Sequence, residues 1–470
     1  MHGSFSHIKQ SALLAAILLE CGGLIATPAQ AATIHVDDDS NCNLASAIQS
    51  ANTDTPVDGC ASGAGADEIV LPNNANIVLD AELPLISSQI YMMGNNSTLS
   101  RNSKAAAFRL MTAENANLSI DDLTLRGGLS PNTGYATDYG AAIRIQGGQL
   151  SLAGVTVENN TGVALAILET AGSTIENSKI RNNIGLPTYF SGGGGIHVSG
   201  STLQIITSSI SNNQNVSFGS GGGGMYISNQ YGVSNVTVLY SSIINNSSYR
   251  SGGAINAVTS GAGGSDSIVL NIRNTTISGN SSGENGGGIA CNLITASVVS
   301  STISNNSTTG AYSSDGSGGG IFCGIGFPPA GSSLQIEQSI LSGNTANTGA
   351  EIFDAAAVTL DAYNVLGQSG QSGVAGMAVA GVNDVVVDVP TTQVLAPLNQ
   401  YVGNAEGLLT HDLLFPSPAV DVVPLAVDCV GVDQHGELRP KDGNNSGEAR
   451  CDAGAVEFVY SDVIFVNGFE

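Results

Sequence analysis

Apolar residues recur in two registers between about residues 117 and 354. The first places an apolar residue three positions before an asparagine: Val157/Asn160, Ile180/Asn183, Ile210/Asn213, Ile243/Asn246, Ile277/Asn280, Ile303/Asn306 and Leu341/Asn344. The second ends a run of small residues on an apolar one: Ile143, Leu165, Ile196, Met225, Ile255, Ile289, Ile321 and Ile352, spaced 22, 31, 29, 30, 34, 32 and 31 residues apart. A unit of about 30 residues that keeps its apolar positions while its loops vary is one coil of a solenoid. The apolar runs are short and alternate, as in Ile196-His197-Val198 and Met225-Tyr226-Ile227. On a strand, alternation sends the flanking pair inward and the middle residue outward. The pattern predicts an all-β fold: a single-stranded right-handed parallel β-helix of about 8–11 coils, with a stacked column of aliphatic residues. The asparagines are expected at one corner of each coil, tolerating left-handed backbone and bonding to the next coil.

The flanks depart from this pattern. Residues 1–31 read as a signal peptide: Lys9, then an apolar run from Ser11 to Leu19, then Ala29-Gln30-Ala31 for cleavage. Residues 32–114 are expected to form an N-terminal cap and irregular first coils. Leu44, Ala47, Ile48 and Ala51 share one helical face there, and a short helix would close the open end. Residues 115–366 hold the regular repeats, 367–460 a C-terminal region rich in Pro and Asp, and 461–470 a tail. Six cysteines follow the signal, and local pairs are expected: Cys42 with Cys60, Cys291 with Cys323, and Cys429 with Cys451. Cys291 and Cys323 hold the same position in successive coils, which sets their Cα atoms about 4.8 Å apart, within disulfide range; the alternative is two buried thiols stacked in the core.

Composition narrows the function. The formal net charge is −25, from 13 basic and 38 acidic residues, with no basic cluster. Such a chain is a poor match for nucleic acid or anionic lipid. No apolar stretch is long enough to span a bilayer. The glycine runs at 192–195, 221–224 and 318–320 precede no Gly-Lys-Ser/Thr and no helix, so they are tight turns and no phosphate loop.

The Gly-Gly-x-Ile runs paired with Ile-x-x-Asn resemble the repeats of bacterial polymorphic outer-membrane proteins. Cys42-Asn43-Leu44-Ala45-Ser46-Ala47 resembles the motif of the CSLREA domain, with its Arg and Glu replaced by Ala45 and Ser46. Ser417-Pro418-Ala419-Val420-Asp421, Asp433-Gln434-His435-Gly436, Arg439-Pro440 and the run Cys451 to Glu457 resemble the choice-of-anchor Q domain. These resemblances imply a secreted or cell-surface β-helix of the bacterial envelope, with no assigned catalysis.

Two groups of residues carry candidate chemistry. The outward row of the second register contains Arg144, His197, Tyr226, Phe322 and Phe353, with Ala166, Asn256 and Ala290 between them. In-line aromatics on a flat ladder could stack on sugar rings; the alternative is cover by a loop such as Leu186–Ser191 or Phe327–Gly331. The densest ionisable group is His411, Asp421, Asp433, His435, Arg439, Asp452 and Glu457. It reads either as a metal or acid/base site or as a cap locked by an Arg–carboxylate pair, and we take the second reading. Asp37, Asp38 and Asp39 read as a solvated acidic loop. The expectation is a monomeric adhesion or carbohydrate-binding protein, partnered by an extracellular glycan or cell surface, without metal, cofactor or catalytic residues. Its rivals are a polysaccharide lyase or glycoside hydrolase, which needs paired carboxylates or carboxylate-held Ca²⁺, and a structural spacer.

Overall fold

The computed structural model describes residues 31–37, 41–131, 139–187, 192–219, 221–259, 268–311, 316–324, 332–354, 357–360, 362–400, 408–427, 429 and 431–459. Residues 1–30, which hold most of the expected signal peptide and Cys21, the acidic pair Asp38–Asp39, the 188–191 and 327–331 segments and the 461–470 tail lie outside the described residues.

The chain is a right-handed parallel β-helix. Three long ladders run along it. Ladder A stacks Met111, Ile143, Leu165, Ile196, Met225, Ile255, Ile289, Ile321, Ile352 and Val374 in direct register. Ladder B stacks Ile34, Ile69, Met92, Ile120, Leu152, Ile175, Ile205, Val238, Ile272, Val298 and Ile336. Ladder C stacks Ile77, Leu99, Leu125, Val157, Ile180, Ile210, Ile243, Ile277, Ile303, Leu341 and Leu366. Most of these residues are wholly buried and form one continuous core. The coils before Met111 already join ladders B and C in register. Past Leu366, Val374–Gly376 and Val385–Val386 close one more turn.

The corner asparagines form an amide ladder. Asn160 Nδ2 donates to Asn183 Oδ1, Asn183 to Asn213, Asn213 to Asn246, Asn246 to Asn280, Asn280 to Asn306 and Asn306 to Asn344, at 2.9–3.0 Å. The second amide hydrogen of each reaches a carbonyl of the apolar anchor one coil back, as in Asn246 Nδ2 to Ile210 O at 2.9 Å. The left-handed backbone falls one residue earlier than expected, on Asn159, Asn182, Asn212, Asn245 and Asn305. The corner thus divides two tasks between neighbours: one residue turns the chain and the next bonds along the axis.

The helix Leu44–Thr53 closes the N-terminal end. Asn43 caps it, its Oδ1 accepting from Ser46 N at 2.9 Å, and Leu44, Ala47, Ile48 and Ala51 face the first coil. Cys42–Cys60, Cys291–Cys323 and Cys429–Cys451 are disulfides, and the Cα atoms of the stacked pair Cys291–Cys323 lie 4.6 Å apart.

After the last coil the chain turns back along the outside of ladder C. In the early coils the flanking residues of this ladder are half-buried or exposed, as with Lys179 and Arg181. From Ser242 onward all three residues of each strand are buried. The returning segment covers them. Gln434 Nε2 donates to Ser241 O at 2.8 Å, Thr276 Oγ1 donates to Gln434 Oε1 at 2.6 Å, and Ala455 N donates to Thr302 Oγ1 at 3.0 Å. A second apolar cluster, including Ile340, Val365, Leu395, Leu413 and Ala453, seals this seam.

Candidate functional site

The outward row of ladder A is not an open face. Arg144 is 8% exposed, His197 1% and Tyr226 6%, and Ala166, Asn256 and Ala290 are buried with them. The expectation of an exposed binding stripe is corrected at these positions. Tyr139 lies over the row, edge-to-face with His197 at 4.7 Å between ring centroids, and the His197 and Tyr226 centroids lie 5.1 Å apart. Tyr139, Val163, Ala166 and Leu168 pack into a small cluster with Tyr231 against it. His197 Nε2 lies 3.2 Å from Ser228 Oγ, and burial pushes its pKa down to about 3, so it is neutral. Arg144 pairs with Glu114 at 3.3 Å and donates to Gln146. Only Phe322 and Phe353 remain half-buried; their rings stack at 5.6 Å with 8° between planes.

The C-terminal ionisable group is a lock within the returning segment. Arg439 and Glu457 pair at 3.2 Å, both buried. Arg439 also donates to Asp452 O at 2.8 Å and Gly454 O at 2.7 Å. Asp433 accepts from His435 N and Glu437 N at 2.8 Å and from Glu457 N at 2.7 Å. Asp421 accepts from Gly443 N and Asn444 N, while Asp452 accepts from Asp421 N at 2.6 Å and from Phe458 N. Each of these four carboxylates is engaged by backbone N–H groups, which ties loop to loop. Burial nevertheless pushes Asp452 up to about 7 and Glu457 to about 8, with the Asp421 charge adding to the first and the Asp452 charge to the second while Arg439 opposes both. His411 stands apart from this lock. It lies on the seam with ladder C, its Nε2 2.8 Å from Ser278 Oγ and its Nδ1 2.7 Å from Ala396 O.

A surface feature that the sequence pattern did not single out lies at the corner between ladder C and ladder A. Four two-residue strands stack there: Gln214–Asn215, Ser247–Ser248, Ser281–Ser282 and Ser307–Thr308. The first three floor a groove of about 270 Å³ that crosses successive coils, lined also by Val216, Tyr249, Gly283, Thr309 and Ala311. The inward members are tied down, with Ser248 Oγ donating to Gly221 O at 2.8 Å and Ser282 Oγ to Asn285 O at 3.1 Å. Gln214 is exposed, and Ser247 and Ser281 are partly exposed. Tyr249 forms one wall, braced by Phe218 edge-on at 5.1 Å and 84°. Phe218 is itself 40% exposed. Among the described lining residues there is no carboxylate and no cation. The sequence signal was present as polar pairs just after each ladder asparagine, beginning at Gln214. It was hidden because Ser and Asn are common throughout the chain.

No family model matches the chain, and no curated protein matches it. Among solved structures it is similar to pectate lyase Pel9A, at 12% identity and a TM-score of 0.48, over 91% of this chain and 96% of that one. It is also similar to the Dettilon tailspike protein gp208, at 14% identity and a TM-score of 0.40, over 68% of this chain and 58% of that one. At these identities the likeness is one of fold.

Proposed function

We infer that this chain is a secreted or cell-surface β-helix that binds an extracellular glycan through the corner groove, without catalysis at that groove. The observation that carries this reading is the lining: hydroxyl and amide groups repeating at the coil spacing beside an aromatic wall. Hydroxyls and amides both donate and accept, which suits the hydroxyls of a neutral sugar. Tyr249 and Phe218 supply an apolar face held in a fixed orientation. Cleavage of a glycosidic bond needs a pair of carboxylates, and the described lining residues contain none. The resemblance to polymorphic outer-membrane repeats, to the CSLREA motif and to the choice-of-anchor Q domain supports placement at the bacterial cell envelope, and three disulfides suit an oxidising compartment. The stacked Phe322–Phe353 pair is a secondary contact in this reading, whereas Arg144, His197 and Tyr226 serve the fold.

The test uses the purified chain on a panel of neutral and acidic glycans, scoring retention and cleavage together. Retention of a neutral glycan is expected, and Tyr249→Ala should weaken it by about 1–3 kcal/mol, as for a truncated aromatic anchor. Its thermal stability should stay close to that of the parent chain. Cleavage with retention unaffected by Tyr249→Ala would favour the lyase or hydrolase reading. Neither retention nor cleavage would leave the spacer.

A further inference from the structure

The seam between ladder C and the returning segment encloses a cavity of about 470 Å³, lined by residues other than those of the corner groove. Its volume lies within the range of small-molecule sites. Ser278 and His411 stand together in its wall with Oγ and Nε2 2.8 Å apart. Both side chains are almost wholly buried, at 2% and 3% exposure. The acceptor opposite the other ring nitrogen is a carbonyl, Ala396 O at 2.7 Å, so Nδ1 carries the hydrogen and donates it. Nε2 is then the free lone pair, and the Ser278 hydroxyl donates to it. That is the arrangement of a serine nucleophile on a general base whose tautomer is fixed by a third group. Here the third group is a carbonyl, which orients the ring without adding a charge.

The rest of the cavity fits the same chemistry. Ser278 is in register with Ile244 and Ser304, so the next residue in each coil is Asn245, Gly279 and Asn305. Both asparagines line the cavity and both are exposed toward it or to solvent. Gly279 allows Asn245 to lean across: a Cβ at that position would collide with Asn245 Oδ1. Two carboxamides therefore flank the serine, one coil to either side; Asn245 turns its Oδ1 over Gly279, which leaves the N–H₂ group of Asn305 as the donor for a developing oxyanion. Leu395, Ala396, Pro397 and Leu398 form an apolar wall.

We propose that Ser278 and His411 form a nucleophile–base pair that hydrolyses esters of short aliphatic acids held in this cavity. Ser278 Oγ bonds to the acyl carbon while its proton passes to His411 Nε2. The C–O bond to the alcohol then breaks, and His411 returns that proton to the departing alkoxide. Water attacks the acyl-Ser278 ester with His411 taking its proton, and collapse restores the serine hydroxyl and releases the acid. Burial lowers the pKa of His411, which keeps the base unprotonated at neutral pH.

The full chain is treated with a short-alkyl fluorophosphonate, and the peptide carrying Ser278 is weighed by mass spectrometry. Hydrolysis of p-nitrophenyl acetate is followed in parallel. The expected result is an adduct on Ser278 and hydrolysis that disappears in Ser278→Ala. In His411→Gln the rate falls by about a hundredfold or more, the usual share of a positioned base. Limited proteolysis checks that the returning segment of each variant stays docked, and Asn305→Gly, which removes the carboxamide and keeps the left-handed backbone, should lower kcat with little change in KM. No adduct on Ser278, or hydrolysis equal in the parent chain and Ser278→Ala, overturns the proposal and leaves the pair as a tether. Glycan retention at the corner groove is scored separately, so the two readings fail independently.

Discussion

Two buried titratable residues give opposite pH signatures. Glu351 ends the amide ladder, accepting from Asn344 Nδ2, from Asn344 N and, at 3.0 Å, from Gly343 N. Burial still pushes it up to about 7 from 4.5. A folded value above the unfolded one means its contribution is fully present below about pH 4.5 and is lost as pH rises through about 7. His197 has the reverse sign. Its folded value of about 3 lies below the unfolded 6.5, so its contribution is present above 6.5 and is lost as pH falls toward 3. The two windows overlap, so the parent chain alone does not separate them. Relative to the parent, Glu351→Gln should gain stability between about pH 4.5 and 7, at up to about 1.4 kcal/mol per pH unit. His197→Gln should lose less than the parent between about pH 6 and 4. Chemical denaturation at several pH values reads both; a Glu351→Gln profile parallel to the parent would show a carboxylate ionised throughout. From Ile143 to Ile321 the position before the ladder A anchor is Ala or Gly, at Ala142, Ala164, Gly195, Gly224, Ala254, Gly288 and Gly320, and Glu351 breaks that series. The break was legible, but its meaning depended on the ladder ending beside it.

At the scale of elements, the corner of each coil sets the axial cohesion. Asn246 Oδ1 accepts from Asn213 N and Asn213 Nδ2, and its own Nδ2 reaches Ile210 O and Asn280 Oδ1. Asn246→Ala leaves buried partners unsatisfied on both sides and should cost about 2–4 kcal/mol, one or two groups at the usual penalty. Asn245 is exposed and left-handed, at φ 54°. Asn245→Gly should therefore change stability by less than about 0.5 kcal/mol, since glycine takes that conformation freely. Equilibrium unfolding of the two variants tests the division of labour. A larger loss for Asn245→Gly than for Asn246→Ala would overturn it. A second axial ladder escaped the sequence pattern. Ser178 N bonds to Ser208 Oγ, Ser208 N to Ser241 Oγ, Thr275 N to Ser301 Oγ and Ser301 N to Ser339 Oγ, at 3.1–3.3 Å. Its signal, a hydroxyl residue two positions before each ladder C anchor from Ile180 to Leu341, was visible but diluted by the serines elsewhere.

At the scale of the molecule, the returning segment makes one flank of the solenoid into an interior seam. Its own order rests on the Arg439 guanidinium, which joins Glu457 to the Asp452 and Gly454 carbonyls. Arg439→Ala leaves Glu457 and two buried carbonyls without their donor and should cost the segment about 2–4 kcal/mol, one or two groups at the usual penalty. Limited proteolysis should then cut within 391–459 while the coils before it survive. Cutting spread evenly over the whole chain would instead show that solenoid and segment unfold as one unit.

Local periodicity was enough to determine ladders A and C, their core columns, the asparagine corner and the stacking of the two cysteines, because each coil repeats the same short-range alternation and meets a near copy of itself one rung away; ladder B was not singled out. Flanking charge along ladder C also carried a trace of the seam: Glu158, Lys179 and Arg181 give way to Ser, Thr and Ile from Ser242 onward. What covers each face was decided by tertiary structure alone. His411 meets Ser278 across 133 positions and Gln434 meets Ser241 across 193, separations that no repeat encodes. Strand alternation tells which way His197 and Tyr226 point, but not that Tyr139 lies on top of them. Exposure depends on where distant chain comes to rest, and that follows from packing the whole molecule.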